Sequence, residues 1–273
     1  MLQSSMWPQL ARLKLCIDIA ARNTIMEHHS LGPLNTVLRG VINEIESVEP
    51  NNHWSWGGKR SLAIAIHLLQ KGEVIAIPTD TIYGLACCAG DNRAIQKIYE
   101  IKKRDENKPL AICVGNVKDV KTFGVVDDIP PGLIETLLPG PFTIILKRTD
   151  ALNPNLNPGI DNVGIRVPKC KHIRNVASVT GPLALTSANL SNNPSSLQPS
   201  HFSELWPQLG GIFHTNSANT NKILCEKRRK GSTIIDLSRA GYYTIVRPGV
   251  AEYTIEGYLR KKGFKKYESE KDG

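Results

Sequence analysis

Two groups of residues in this chain have the types and spacing needed to handle a polar, anionic ligand. The first is Thr79-Asp80-Thr81, a carboxylate between two hydroxyls, placed directly after the apolar run Val74–Ile77 and Pro78. The second lies further on and is cationic: Lys102, Lys103, Arg104 and Lys108. Val74–Ile77 is apolar without alternation, as in a strand covered on both faces, and Pro78 stops it. Ligands of open α/β sheets gather at the carboxyl ends of strands, and Lys and Arg are the side chains that hold phosphates. A second reading of the cations stands beside this one. Near a helix C-terminus they complement its dipole, at about 0.3–1 kcal/mol each.

The pattern of a polar strand end recurs. Pro182–Leu185 begins a strand that ends in Thr186-Ser187-Ala188-Asn189 and runs into the polar loop 191–196. Gly231-Ser232-Thr233 opens the strand Thr233–Leu237 after the basic run Lys227–Lys230, which is either a solvated loop or the rim of an anion-binding nest. Tyr242–Val246 ends in Arg247-Pro248-Gly249. Arg166 stands inside the short apolar strand Val163–Pro168, where a buried charge must be paired. Its partner is either an internal acid or a ligand carboxylate or phosphate. If parallel strands converge, these residues line one cleft.

The elements that must position them follow from period and punctuation. Leu62, Ala65, Ile66 and Leu69 form the stripe of a helix over 61–70, with Gly72 as its stop. A second helix starts with Asp91 or Asn92 as N-cap and packs Ile95, Ile98 and Tyr99. Residues 116–138 read as short helices broken at Pro130-Pro131-Gly132, and Leu138–Pro141 is a rigid turn into the strand Phe142–Leu146. A helix is expected around Phe202–Leu209 and a closing one over Ile255–Leu259. Residues 1–57 stand apart from the fold. Positions 10–20 suit an amphipathic helix in an acid-poor, Arg-containing start, which fits either a transit peptide or an untailored extension, and 27–57 reads as a linker. One folded domain is expected over 58–260 and a charged, mobile tail over 261–273.

Composition limits the function classes. With 41% hydrophobic and 22% charged residues in 273, the chain can bury a substantial core. Its net charge of +9 favours nucleotides, RNA or peripheral contact with an anionic membrane. No apolar run approaches the ~20 residues of a membrane span. The six cysteines (Cys16, Cys87, Cys88, Cys113, Cys170, Cys225) include no CxxC pair and read as small core residues of a reducing compartment rather than disulfides. Neither a GxxxxGK[ST] nor a GxGxxG loop is present, there is no HExxH or dedicated metal-ligand set, and no organic cofactor is implied. What remains is nucleotide chemistry carried by positioning and electrostatics.

In order along the chain, PTDTIYGL, KKR followed by KPL, LPGPFTIIL, VGIRVP, LTSANLSNNPS, GSTIID and IVRPG resemble the YrdC family over about residues 58–250. The overall length, with PLALTSANLS and ELWPQL, is similar to the single-domain animal members. The resemblance implies an α/β fold, a twisted open mixed sheet with helices around a large basic concave cavity. It implies a nucleotidyltransferase that makes threonylcarbamoyl-adenylate and pyrophosphate from L-threonine, bicarbonate or CO2, and ATP with Mg²⁺. A downstream threonylcarbamoyl-transferase complex then modifies adenosine-37 of ANN-decoding tRNAs. Carried over residue by residue, Thr79, Arg166, Ser187 and Ser232 would hold threonine, with Arg166 on its carboxylate. Lys102, Arg104, Asn162, Asn189, Ser195 and Arg247 would contact ATP, and Lys102 and Arg104 would be catalytic. Lys103 and Asp105 depart from the Gly and Pro common in relatives without removing a phosphate contact. Cytoplasmic and mitochondrial localisation is implied, with the N-terminal extension suited to dual targeting. The competing class is a non-catalytic module for double-stranded RNA or tRNA, favoured by the net charge but not by a buried Arg166.

Overall fold

The computed structural model describes residues 52–215 and 229–267. In chain order the elements are β1 (His53–Ser55), α1 (Gly58–Gln70), β2 (Ile75–Pro78), β3 (Tyr83–Cys88), α2 (Asn92–Lys102), β4 (Ala111–Cys113), a 3-10 turn (Val117–Asp119), α3 (Val120–Phe123), α4 (Leu133–Leu137), β5 (Phe142–Lys147) and β6 (Asn162–Arg166). There follow α5 (Lys171–Thr180), β7 (Leu183–Ser187), a 3-10 segment (Pro199–Gln208), β8 (Gly211–His214), β9 (Thr233–Asp236), β10 (Tyr242–Arg247), α6 (Glu252–Lys261) and β11 (Lys265–Lys266). Among the described residues the strands form one mixed sheet in the order β1-β8-β2-β3-β7-β4-β6-β5-β9-β10-β11.

β2 shows why its sequence lacks alternation. Val74 and Ala76 enter one apolar cluster with Ile95 and Ile98 of α2, while Ile75 and Ile77 enter another with Ile64 and Leu68 of α1 and Ile173 and Val176 of α5. Helices cover both faces of the strand, so every residue needs to be apolar. Helix α2 begins where its sequence signals. The Asp91 carboxylate accepts from the backbone N–H groups of Arg93 (2.9 Å) and Ala94 (3.2 Å), satisfying donors that the first helical turn leaves open.

Four expectations need correction. The strands that carry the site do not all run parallel: β2 and β7, each antiparallel to β3, share a direction, whereas β6 runs against β7 through its parallel partner β4. Residues 53–57 are not linker, because β1 pairs with β8 at the sheet edge, His53 opposite Ile212. The tail is structured as far as Tyr267, whose N–H donates to the Tyr243 carbonyl at 2.8 Å. The expected helix over 202–209 is a 3-10 segment with a kink at Phe202 and Pro207 inside it, since proline removes a helical donor. The expectations for 1–51, including the targeting segment, and for Lys227 and Arg228 of the basic run lie outside the described residues. Cys87, Cys88, Cys113 and Cys170 are free thiols, in line with the reading of small core residues.

Candidate active site

The Thr79-Asp80-Thr81 turn closes on itself. The Thr79 hydroxyl accepts from the N–H groups of Thr81 (3.1 Å) and Ile82 (3.3 Å) and lies 2.7 Å from the Ile82 carbonyl, to which it donates. Into this turn, from the end of β6, comes Arg166. Its Nη2 donates to the Asp80 carboxylate (2.5 Å), to Thr81 Oγ1 (2.7 Å) and to Thr79 Oγ1 (3.4 Å). The arginine is only 6% exposed, and its Nε is buried with no hydrogen-bond partner. An internal acid therefore pairs the buried charge, one of the two partners that the sequence left open. A second donor, Nε, is still left over. Buried N–H groups are almost always bonded, so an orphan at a strand end marks a place for an acceptor. Beside Arg166 in the sheet register is Cys113, whose thiol is pushed up to about 12, mainly by burial; it stays protonated and is no nucleophile.

Lys102 leaves the end of α2 and crosses to the end of β7. It is 1% exposed, and its Nζ donates to the carbonyl oxygens of Ser187 (2.6 Å) and Asn189 (2.5 Å). Burial, with the charge of Arg104 adding, brings its ammonium down to about 7. Dipole compensation does not describe this lysine, because the acceptors belong to another element. Lys103 follows as the left-handed C-cap of α2 (φ 48°). Arg104 then donates through Nε to the Lys108 carbonyl and through Nη2 to the Pro109 carbonyl, both at 3.0 Å. Its guanidinium is pulled down by burial.

Past Ser187, the Asn189 side chain is fixed by its own loop. Nδ2 donates to the carbonyls of Leu190 (2.6 Å) and Asn193 (2.8 Å), leaving Oδ1 buried and without a partner. The Ser195 carbonyl accepts from Arg229 Nη1 at 2.8 Å. On the far side, Ser232 Oγ lies 2.8 Å from Thr143 Oγ1 of β5. Arg247 Nη2 donates to the Ser232 carbonyl (2.9 Å) and hydroxyl (3.3 Å). Two glycines make this approach possible. A Cβ on Gly249 would stand 2.3 Å from the Thr233 nitrogen, and Gly231 (φ +70°) sits where a Cβ would be 3.2 Å from both Arg247 Nη2 and Ile82 Cδ1. Gly231 thus brings the Ser232 loop against the Thr79 turn.

The charges of this assembly add. Arg247 is pulled down by burial first and then by the charges of Arg166 and Arg104. Guanidinium groups that repel one another around orphan donors and acceptors form a site for a polyanion, which relieves both costs. Thr79, Arg104, Arg166, Ser232 and Arg247 are brought together in this way. Lys102, Ser187 and Asn189 form a second unit, joined to the first through β3, where Gly84 pairs with Ser187. Asn162 is not brought to the guanidiniums. It opens β6 four residues before Arg166, about 13 Å along a strand, and donates to Ser238 Oγ at 3.3 Å. There it lines an open groove of about 1140 Å³ with Lys147, Asp161 and Arg239. The sequence reading missed Asp80 as the partner of Arg166, and also Thr143, whose lone hydroxyl in the apolar strand FTIIL was the available signal.

The Sua5/YciO/YrdC family model, described as telomere recombination, matches residues 67–249. The chain belongs to this family. It is 42% identical over 207 residues to a protein named threonylcarbamoyl-AMP synthase from Homo sapiens, covering 76% of this chain and 73% of the relative. A protein of the same name from Rattus norvegicus is 42% identical over 220 residues, covering 80% of this chain and 78% of the relative. Among solved structures, Escherichia coli YciO superposes with a TM-score of 0.62 at 26% identity, over 72% of this chain and 93% of that one. Pyrococcus abyssi Sua5 complexed with L-threonine superposes with a TM-score of 0.61 at 25% identity, over 72% of this chain and 56% of that one. The family fold, a large twisted mixed sheet with helices, is the fold of this chain.

Proposed function

We propose that this chain joins L-threonine, bicarbonate or CO2, and ATP into threonylcarbamoyl-adenylate and pyrophosphate, the activated group used for N6-threonylcarbamoyladenosine at position 37 of ANN-decoding tRNAs. The observation that carries this reading is Arg166: a buried guanidinium with an unpartnered Nε, beside two further arginines, Arg104 and Arg247. The name shared by relatives at 42% identity agrees with it and favours the enzyme over the RNA-binding module.

Arg166 binds the threonine carboxylate through its guanidinium, with Ser187 and Ser232 on the amine and hydroxyl end. Arg104 and Arg247 take the phosphates of ATP, and Asn189 offers Oδ1 to a donor of the nucleotide or amino acid. The threonine amine adds to CO2, its proton passing to water or bicarbonate; a carbamate oxygen then attacks the α-phosphorus, the bond to the bridging oxygen of pyrophosphate breaks, and the guanidiniums spread the developing charge. Mg²⁺ would come with ATP and would shield the charge of its phosphates. A threonylcarbamoyl-transferase complex receives the product, and the enzyme serves cytoplasm and mitochondria, the segment before β1 directing the latter.

The test is pyrophosphate release from ATP-Mg in the presence of threonine and bicarbonate. Arg104→Ala and Arg166→Ala each lower the rate by at least about tenfold. Full activity in both variants overturns the assignment.

A further inference from the structure

Asp80 has no ligand role in the reading above, yet it is bound on both oxygens. Oδ1 accepts from Arg166 Nη2 at 2.5 Å, and Oδ2 accepts from the backbone N–H of Lys169 at 2.8 Å. The two side chains are 8% and 9% exposed, arginine first. Lys169 lies just beyond β6, so this one carboxylate grips both the side chain of Arg166 and the backbone that follows it. Among the described residues, every hydrogen bond of the Arg166 side chain uses the same nitrogen, Nη2, and all go to the turn 79–81. Nε is buried and unpartnered.

A long guanidinium side chain has many rotamers, and a fork that must meet a carboxylate has to be held in one plane. Asp80 does this from behind. It compensates the buried charge and fixes Nη2, which holds the guanidinium in one plane. Only a carboxylate suits the position. An amide has one oxygen, and with that oxygen on Arg166 its NH₂ would face the Lys169 N–H.

We propose that Asp80 is a positioning residue for the reaction, holding the Arg166 guanidinium toward the carboxylate of L-threonine. The proposal rests on the assignment of Arg166 to that carboxylate, and the experiment separates the two. Threonine and ATP dependences of pyrophosphate release are measured for the full chain, Asp80→Asn, Asp80→Glu, Arg166→Ala and the Asp80→Asn/Arg166→Ala double variant. Asp80→Asn raises the threonine KM by about tenfold or more and leaves the ATP KM within about twofold. Asp80→Glu, with two oxygens restored, recovers part of the loss. On the Arg166→Ala background, Asp80→Asn adds nothing, because its effect passes through the arginine. A normal or lowered threonine KM in Asp80→Asn, with a raised one in Arg166→Ala, overturns the positioning role alone. An unchanged KM in Arg166→Ala overturns the arginine assignment itself. If Asp80→Asn does not fold, Asp80→Glu decides: a rise in the threonine KM alone supports the role, and equal rises for both substrates overturn it.

Discussion

Lys102 Nζ lies 2.6 Å from the carbonyl oxygen of Ser187, although 85 positions separate the two residues. The contact ties the last turn of α2 to the end of β7, and the bond to the Asn189 carbonyl extends the tie into the following loop. Lys102→Met keeps the apolar stem and deletes both donors. A buried acceptor left unsatisfied costs about 1–3 kcal/mol, so chemical denaturation is expected to show a loss in that range, together with reduced pyrophosphate release. A lysine used only as a phosphate contact would leave stability unchanged. The pH dependence has a definite sign. The folded ammonium titrates at about 7, below its ordinary 10.5. The unfolded chain therefore binds more protons between those values, and stability rises with pH across the window. That rise is smaller in Lys102→Met.

Asp91 offers a contrasting test, on stability without chemistry. Its carboxylate caps α2 through the N–H groups of Arg93 and Ala94, at the helix end opposite Lys102. Asp91→Ala is expected to cost about 0.5–2 kcal/mol, read as a lower thermal midpoint. Threonine and ATP KM values stay within about twofold of the original. A raised KM for either substrate would show that the cap sets site geometry as well as helix stability.

What was legible in the sequence depended on how local the signal was. The Asp91 cap and the strands β2, β5, β6 and β10 follow from patterns a few residues long, and the structure has them within a residue or two. The site residues were legible as hydroxyls, amides and cations at strand ends. Their mutual arrangement was not. The antiparallel relation of β6 to β7 is set by pairing across the whole sheet, and the choice of Asp80 over a ligand as partner of Arg166 needs two segments 86 positions apart to meet. Edge strand β1 was missed because a strand of three residues carries no period. Helix α5 was missed despite Ile173, Val176 and Ala177 at helical spacing, as its first turn has no side-chain cap.

The edge strand leads to a prediction about acid. His53 Nδ1 and His214 Nε2 stand 2.6 Å apart, a distance at which one proton is shared between the rings. Both imidazoles are held below their ordinary 6.5 by burial, His214 also by the charge of His53. His172 and His201 are lowered as well, again mainly by burial. A histidine depressed in the folded state contributes stability that is complete above 6.5 and declines as pH falls through the folded value. Acidification from neutrality to about pH 5.5 is therefore expected to loosen β1 from β8. Hydrogen exchange of the β1 amides should increase first, and His214→Gln should flatten the response. Protection of β1 that is independent of pH would refute the shared-proton pair.

Gly249 tests whether the close approach of β10 to the Ser232 loop matters for threonine. A Cβ there would fall 2.3 Å from the Thr233 nitrogen and 2.4 Å from the Ser232 carbonyl carbon. Both are backbone atoms that no rotamer change can move aside. Gly249→Ala must push the Arg247-Pro248-Gly249 turn outward, and overpacking of this kind costs about 1–3 kcal/mol. The displacement acts on the bonds from Arg247 Nη2 to Ser232, and through Ser232 on its hydroxyl pair with Thr143. Stability and function should therefore fall together. The KM values for threonine and ATP should both rise, since Ser232 and Arg247 are assigned one to each. Thr143→Val separates the two effects. It removes only the hydroxyl beside Ser232, so it should raise the threonine KM while the ATP KM stays near its original value. Equal rises for both substrates in Thr143→Val would place Ser232 on the nucleotide rather than on the amino acid.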